Sequence, residues 1–149
     1  MNSGLVRSIA AWLRERFQRF SASPAEHLQR GAYGEKLAAR FLRRAGYKIL
    51  YRNFRGQTGG EIDIVCREGE TLVFVEVKTR SSEDFGRPFE AIKGEQRGRI
   101  SRGALAWLRL LDNPDIYFRF DVVEVVLTEA EPRIELIQNA FGLAEPLVY

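Results

Sequence analysis

The stretch that decides the fold is Glu61–Arg80, with the sequence EIDIVCREGETLVFVEVKTR. Two runs rich in β-branched and apolar residues, typical of strands, flank Glu68-Gly69-Glu70, which is typical of a tight turn. The sequence therefore predicts a β-hairpin whose strands are Glu61–Arg67 and Thr71–Lys78.

The charged residues of this hairpin are predicted to meet on one face, because side chains alternate between the two faces of a strand. Asp63 is predicted to lie on one face of the first strand, with Glu76 and Lys78 together on one face of the second. The remaining assignments in the first strand place Glu61 and Val65 with Asp63, and Ile62, Ile64 and Cys66 on the opposite face. Neighbouring strands would then bring Asp63 and Glu76 close together, with Lys78 beside them.

Such a cluster favours a bound cation. Two carboxylates ~4 Å apart repel each other by about 4 kcal/mol at an effective dielectric constant of ~20. One lysine cannot balance several acids, so either one acid is protonated or a divalent cation lies among them. Carboxylate oxygens suit Mg²⁺ or Mn²⁺, which can polarise a phosphoryl group and acidify a bound water. The alternative is a solvent-facing ion pair across two strands, which stabilises little.

A helix is predicted before the hairpin, beginning at the Ser23-Pro24 capping box with Glu26 and ending near Ala45, before Gly46. Its inward stripe includes Leu28, Ala38, Phe41, Leu42 and Ala45. Glu35 falls on the same stripe, where an uncompensated acid is costly. The pattern thus adds Glu35 as a candidate site residue, with a salt bridge to an arginine as the alternative.

The remaining patterns predict a mixed α/β domain with a central sheet flanked by helices. Tyr47–Phe54 is a predicted strand, Pro88–Leu111 a helix, and Ile116–Leu127 with Arg133–Gln138 a final hairpin. Residues 23–149 are predicted to form this single domain. Residues 1–22 are predicted to form a separate, basic amphipathic helix that packs on the chain, on a membrane surface or on a protein partner.

Composition narrows the chemistry. Cys66 is the only cysteine and His27 the only histidine, which excludes an internal disulfide and the usual zinc sites and favours a reducing, cytoplasmic location. No apolar run reaches the ~18 residues of a membrane span. Residues 1–60 carry twelve Lys or Arg and three acids, a net +9, whereas residues 61–149 carry a net −6. A basic half suits a polyanion such as nucleic acid; a solvated arginine-rich surface is the alternative.

Several motifs together resemble a known family. Glu61-Ile62-Asp63, followed by Glu76-Val77-Lys78, resembles the PD-(D/E)XK signature of restriction endonucleases and archaeal Holliday junction resolvases. A longer ordered set from about Arg30 to Val126 resembles the small bacterial YraN-like family, and comprises Gly34-Glu35-Lys36-Leu37-Ala38, Asn53-Phe54-Arg55, Gly60–Val65, Phe74–Arg80, Phe89–Ile92 and Arg119–Val123. Ile62 replaces the proline of the signature, and Gln96 stands near a position where the pattern often has lysine, for which Arg97 could substitute.

The resemblance implies a restriction-endonuclease-like core of order α-β-β-β-α-β and a Mg²⁺- or Mn²⁺-dependent endonuclease acting on DNA in preference to RNA, including branched or damaged DNA. It implies that Asp63, Glu76 and the Val77 carbonyl hold the metal, that Lys78 assists the water nucleophile, and that Glu35 holds water or a second metal. A resolvase would also be a homodimer. The alternatives are a catalytically inactive nucleic-acid-binding module and an adaptor that docks through residues 1–20.

Basic residues near the predicted site are candidates for phosphate contacts, which position nucleic acid without reading its sequence. Ordinary surface arginines are the alternative for each of them. The candidates are Arg52, Arg55, Arg80 and Arg87. Away from the site, Asp121 is predicted to be a strand-edge or capping residue, and Trp107 to be part of the core.

Overall fold

A computed structural model describes residues 24–81, 92–147 and 149. The predicted helix of residues 1–22 and the candidate Arg87 lie outside these residues. The chain divides into two compact units between Ala32 and Tyr33, and the sheet belongs to the second unit. The described elements are helix α1 (Pro24–Arg44), strands β1 (Lys48–Arg55), β2 (Glu61–Glu68) and β3 (Thr71–Arg80), helix α2 (Gly94–Leu110), and strands β4 (Phe118–Val126) and β5 (Arg133–Phe141).

The five strands form one mixed sheet in the order β1-β2-β3-β4-β5. Neighbouring strands are antiparallel except β3 and β4, which are parallel. A parallel pair needs a long crossover connection, and α2 lies within the one that joins β3 to β4. The predicted mixed α/β fold is confirmed, and its element order is compatible with a restriction-endonuclease-like core.

Each face of the sheet packs against a different helix. Residues Ala38, Ala39 and Leu42 of α1 are buried with Val73 and Val75 of β3. Their β3 neighbours Leu72 and Phe74 point to the other face, where they pack with α2. This α2-side core includes Ile100, Ala104 and Leu108 of the helix, as predicted. Strand β3 is therefore apolar on both faces, as a central strand should be.

The helix ends differ in part from their predictions. Gly46 has a left-handed φ of 92°, and the Tyr47 N–H donates to the Leu42 carbonyl, so α1 ends as predicted. Leu28, Ala45 and Leu111 were predicted to face inward but are exposed; Ala45 and Leu111 lie just past Arg44 and Leu110, the last helical residues, so the helical stripe does not extend to them. Helix α2 begins at Gly94. Ile92 and Lys93 were predicted to be helical, but they precede the helix. None of the described helices is long and apolar enough to cross a membrane.

Candidate active site

Asp63 lies where β2 and β3 separate. Pairing between the two strands runs from Glu68 opposite Thr71 to Ile64 opposite Val75 and includes no residue of β2 before Ile64. At this point the Asp63 carboxylate accepts a hydrogen bond from the backbone N–H of Val77, with 2.8 Å between Oδ2 and N. Just beyond the last paired residues of β2 and β3, the acceptor for a β3 backbone N–H is therefore a side chain and not a backbone carbonyl.

The strand also changes faces at Asp63, so the prediction that Ile62, Ile64 and Cys66 share one face is wrong. Ile62 packs in the α2-side core, whereas Ile64 and Cys66 pack in the α1-side core. Asn53 of β1 lies opposite Asp63, between two paired positions, and has a left-handed φ of 54°. Irregular backbone on one side and the end of pairing on the other allow this local twist.

Glu76 is the second carboxylate of the site and is 6% exposed. Its carboxyl group interacts directly with that of Asp63. Its Oε1 atom also accepts a hydrogen bond from Nε2 of Gln96 at 2.7 Å and lies 3.6 Å from Nζ of Lys78. The structure therefore brings Asp63, Glu76 and Lys78 together, on the sheet face predicted for Glu76 and Lys78.

Gln96 belongs to this cluster, although the sequence singled it out only as a departure from a family pattern. It lies in the first turn of α2 and reaches back to β3. Its partner is twenty residues away along the chain, so local periodicity could not reveal the contact. The only signal in the sequence was its place near a position that often carries an amine donor.

Glu35 reaches the site because α1 approaches the end of β3 very closely. A Cβ atom on the preceding residue, Gly34, would lie 1.8 Å from Oγ1 of Thr79, so only glycine fits there. Glu35 interacts electrostatically with Asp63 and forms a hydrogen bond with the Asn53 side chain. The prediction that Glu35 points toward the other acids agrees with this placement, and its alternative partner, an arginine, is also present as Arg52.

An open cleft of about 120 Å³ leads to these acids. Glu61 lies at its mouth, with its carboxylate 3.2 Å from Arg99 and 3.9 Å from Arg55. The Arg55 side chain is 83% exposed. The lining residues are Glu35, Asn53, Phe54, Arg55, Glu61, Ile62 and Asp63.

Burial and neighbouring carboxylates raise the pKa values of Asp63 and Glu35. Burial, and then the Glu76 carboxylate, raise the pKa of Asp63 from 3.8 to about 7, although the Val77 N–H opposes this shift. Burial, and then the Asp63 carboxylate, raise the pKa of Glu35, against the opposing effects of Asn53 and Arg52. Ionisation of Asp63 and of Glu35 is therefore less favourable in this fold than in water, and a bound cation would offset that cost.

This donor set fits a hard divalent cation. Asp63 and Glu76 offer adjacent carboxylate oxygens, the ligands that Mg²⁺ and Mn²⁺ prefer. Within the described ranges, no three acidic, histidine or cysteine side chains are grouped closely enough to hold a metal ion by themselves. Mg²⁺ typically takes only one or two protein carboxylates and completes its shell with water and phosphate oxygens, so two carboxylates are sufficient. Glu35 lies close enough to Asp63 to interact with it, as the next acid along the cleft.

The predicted phosphate-contacting arginines lie in different environments. Arg55 is at the cleft mouth, whereas Arg52 is half-buried and acts electrostatically on Glu35. Nε of Arg52 is buried without a hydrogen-bond partner among the described residues. Arg80 forms an ion pair at 3.0 Å with Glu124, a buried β4 residue that the sequence analysis did not identify.

Asp121 is not an edge or capping residue, so that prediction is wrong. It is fully buried and receives hydrogen bonds from Nε of Arg119 at 2.9 Å and from the backbone N–H of Asn139 at 2.8 Å. Arg119 also bonds to Glu68 and the Tyr47 hydroxyl. This network lies on the α1 side of the sheet and satisfies a buried charge, which an isolated strand pattern cannot predict.

The comparisons with known proteins assign the family. The model of the family described as "Uncharacterised protein family UPF0102" matches residues 34–125, which include the four candidate catalytic residues and Gln96. The chain belongs to the UPF0102 family. The UPF0102 assignment confirms the resemblance to the YraN-like family and is compatible with the PD-(D/E)XK superfamily.

Relatives in distant bacteria support the UPF0102 assignment. The UPF0102 protein of Geobacter metallireducens is 50% identical over 114 residues, which cover 76% of this chain and 93% of the relative. That of Nocardia farcinica is 48% identical over 112 residues, or 74% of this chain and 87% of the relative. That of Solibacter usitatus is 44% identical over 139 residues, or 93% of this chain and 98% of the relative.

Proposed function

We propose that this UPF0102 protein is a Mg²⁺- or Mn²⁺-dependent endonuclease that hydrolyses phosphodiester bonds in DNA, including branched or damaged DNA, in the cytoplasm. The observation that supports the proposal best is the interacting pair of Asp63 and Glu76 carboxyl groups, with Lys78 and Gln96 beside the same Glu76 oxygen. A buried acid at a cleft whose pKa is raised by a neighbouring carboxylate, as Asp63 is, is typical of functional sites.

Asp63 and Glu76 would hold the cation, with the Val77 carbonyl as a further ligand. The cation would supply a Lewis acid for the phosphoryl group and lower the pKa of water. Gln96 and Lys78 both engage Oε1 of Glu76, which leaves its other oxygen available for the pair with Asp63. Preorganisation of this kind lowers the cost of reaching the productive geometry.

Lys78 would orient the attacking water and offset the negative charge that develops on the phosphoryl oxygens. Its ammonium lies 3.6 Å from Glu76, close enough to be attracted but too far for a tight hydrogen bond, so it retains donors for water or phosphate. Glu35, the next acid along the cleft, would hold a second water or cation.

Nucleic acid would approach through the cleft mouth, where Arg55 and Arg99 flank Glu61. Guanidinium groups bind phosphate oxygens in pairs of parallel hydrogen bonds, which suits them to a DNA backbone. Arg52 and Arg80 lie deeper and already act on Glu35 and Glu124, so their contribution would be to local charge as well as to phosphate binding.

The test is cleavage of labelled single-stranded, duplex and four-way-junction DNA in Mg²⁺, Mn²⁺ or EDTA. Wild type should cut at least one substrate in a metal-dependent manner, whereas Lys78→Ala should lose about 10²–10⁴-fold in rate with an unchanged thermal midpoint. Arg109→Gln, on the exposed last turn of α2, is the matched control for loss of a positive charge.

The outcomes separate the alternative functions. Unchanged cleavage by Lys78→Ala would rule out the assigned site. Salt-sensitive DNA binding with no cleavage in either metal would favour the inactive binding module. Deletion of residues 1–20 should leave cleavage intact, whereas an adaptor would lose its interaction. A junction-cutting enzyme should sediment as a homodimer, because two strands must be cut symmetrically.

A further inference from the structure

Asn53 has an unusual backbone for a strand residue. It lies within β1, yet its φ is 54°, in the left-handed region that side-chain-bearing residues seldom adopt. Its neighbour Phe54 is anchored in the core, where its ring meets Trp107 edge-on at 5.1 Å. The irregularity is therefore held between a fixed core residue and the rest of the strand.

The consequence of this backbone is that Asn53 lines the cleft. It lies opposite Asp63 in the strand register, and its side chain hydrogen-bonds to the carboxyl group of Glu35. Asn53 thus connects β1 to the acid that α1 brings to the site. Strained residues of this kind cluster at active sites and ligand clamps.

Glycine would adopt the same backbone without strain, and glycines are used at φ of 93° and 88° in the loop that follows, at Gly59 and Gly60. What asparagine adds at position 53 is an amide that can donate to a carboxylate. The side-chain amide, and not the left-handed backbone alone, is therefore what distinguishes asparagine from glycine at position 53.

We propose that Asn53 is a positioning residue of the candidate active site, which holds the Glu35 carboxylate in the cleft beside Asp63. This inference rests on the proposed function and deepens it, since it assigns a role to the Asn53-Phe54-Arg55 motif. Phe54 anchors the segment in the core, and Arg55 emerges at the cleft mouth.

The test uses a substitution that keeps the backbone and removes the amide. Asn53→Gly tolerates the left-handed conformation, so any loss reports on the side chain. Asn139→Gly is the matched control, because Asn139 is also left-handed (φ 49°) but lies in β5, where its backbone N–H bonds to Asp121 rather than to the cleft. Asn53→Asp is a second variant, which keeps the size but replaces the donor with a negative charge.

Asn53→Gly should lower kcat/KM for DNA cleavage and weaken Mn²⁺ binding, measured by calorimetry, by about 10-fold each, the lower end for a residue that orients a metal-site ligand. Asn53→Asp should lose at least as much, and Asn139→Gly should match wild type. The double variant Asn53→Gly/Glu35→Gln should be no worse than Glu35→Gln alone, because the amide acts through Glu35.

The possible outcomes distinguish the role of Asn53 from the proposed function. Additive losses in the double variant, or wild-type cleavage and Mn²⁺ affinity in Asn53→Gly, would overturn the positioning role while leaving the proposed function intact. A wild-type protein that neither binds Mn²⁺ nor cuts DNA would refute the proposed function, and the role of Asn53 with it. Thermal unfolding of every variant checks that the fold is retained.

Discussion

Asp63→Asn should make the metal-free protein more stable above about pH 6. Asp63 is ionised in the unfolded chain above its ordinary pKa of 3.8, whereas in the fold burial and Glu76 raise its pKa to about 7. An acid with a raised folded-state pKa contributes stability that is fully present below the unfolded pKa and is lost as the pH rises to the folded pKa. Wild type should therefore lose stability between about pH 4 and pH 7.

The shift of Asp63 corresponds to about 4 kcal/mol at pH 8, as an upper value. Two features reduce the gain expected from asparagine. Part of the shift belongs to the Asp63–Glu76 pair as a whole, and the Val77 N–H loses a charged acceptor, although the asparagine carbonyl can still accept it. A net gain in unfolding free energy on the order of 2 kcal/mol at pH 8 remains.

The assay is urea denaturation of the full chain in EDTA at several pH values from 4 to 8, followed by tryptophan fluorescence. The difference in unfolding free energy between Asp63→Asn and wild type should be small at pH 4 and should grow toward pH 8. Saturating Mg²⁺ should reverse the order, because about 2.7 kcal/mol of stabilisation is available to wild type at 100 times Kd. A variant less stable than wild type at pH 8 in EDTA, or a difference that does not change with pH, would refute the electrostatic reasoning.

Three further substitutions test other parts of the structure. Gln96→Ala should lower the cleavage rate about 10-fold with a small effect on stability, because Glu76 loses its amide donor; a rate equal to wild type in the DNA assay would count against this contact. Asp121→Asn should lower the unfolding free energy by about 3 kcal/mol, because Arg119 loses its buried partner, and urea denaturation that shows no loss would contradict the buried-network assignment. Gly34→Ala should cost about 1–3 kcal/mol in the same assay, because its Cβ would overlap Thr79; a neutral result would mean that α1 shifts freely on β3.

Local pattern was sufficient to predict most of the fold. The Glu68-Gly69-Glu70 turn joins antiparallel strands as expected, and the left-handed Gly46 ends α1 where glycine was predicted to end it. These features depend on neighbouring residues alone. The choice of sheet faces in β3 also followed from alternation, because this strand stays in regular register with β4 from Leu72 to Arg80, beyond the point where its pairing with β2 ends at Val75.

Prediction failed where the structure depends on contacts between distant segments. Alternation placed Ile62 and Ile64 together, but the end of pairing with β3 and the left-handed Asn53 twist the strand between them. Gln96 and Glu124 gave no local signal, since each acquires its partner only when distant segments pack. Asp121 looked like a boundary residue because its burial and its bond from the Asn139 N–H arise only when β5 packs beside β4, although its other partner, Arg119, is only two residues away.

The failures around Asp63 share a physical cause that bears on function. A regular sheet would have continued the β2–β3 ladder and brought Asp63 and Glu76 directly opposite each other as a cross-strand pair of like charges, which destabilises a sheet. Here the ladder stops, and the Val77 N–H binds Asp63 instead. Where the strands separate, Asp63 lines the cleft, while Gln96 and Lys78 hold the buried Glu76 in place beside it. The end of the β2–β3 ladder weakens the sheet and leaves two acids side by side, and a bound cation would stabilise this arrangement. The stability of Asp63→Asn and the metal dependence of cleavage should therefore change together.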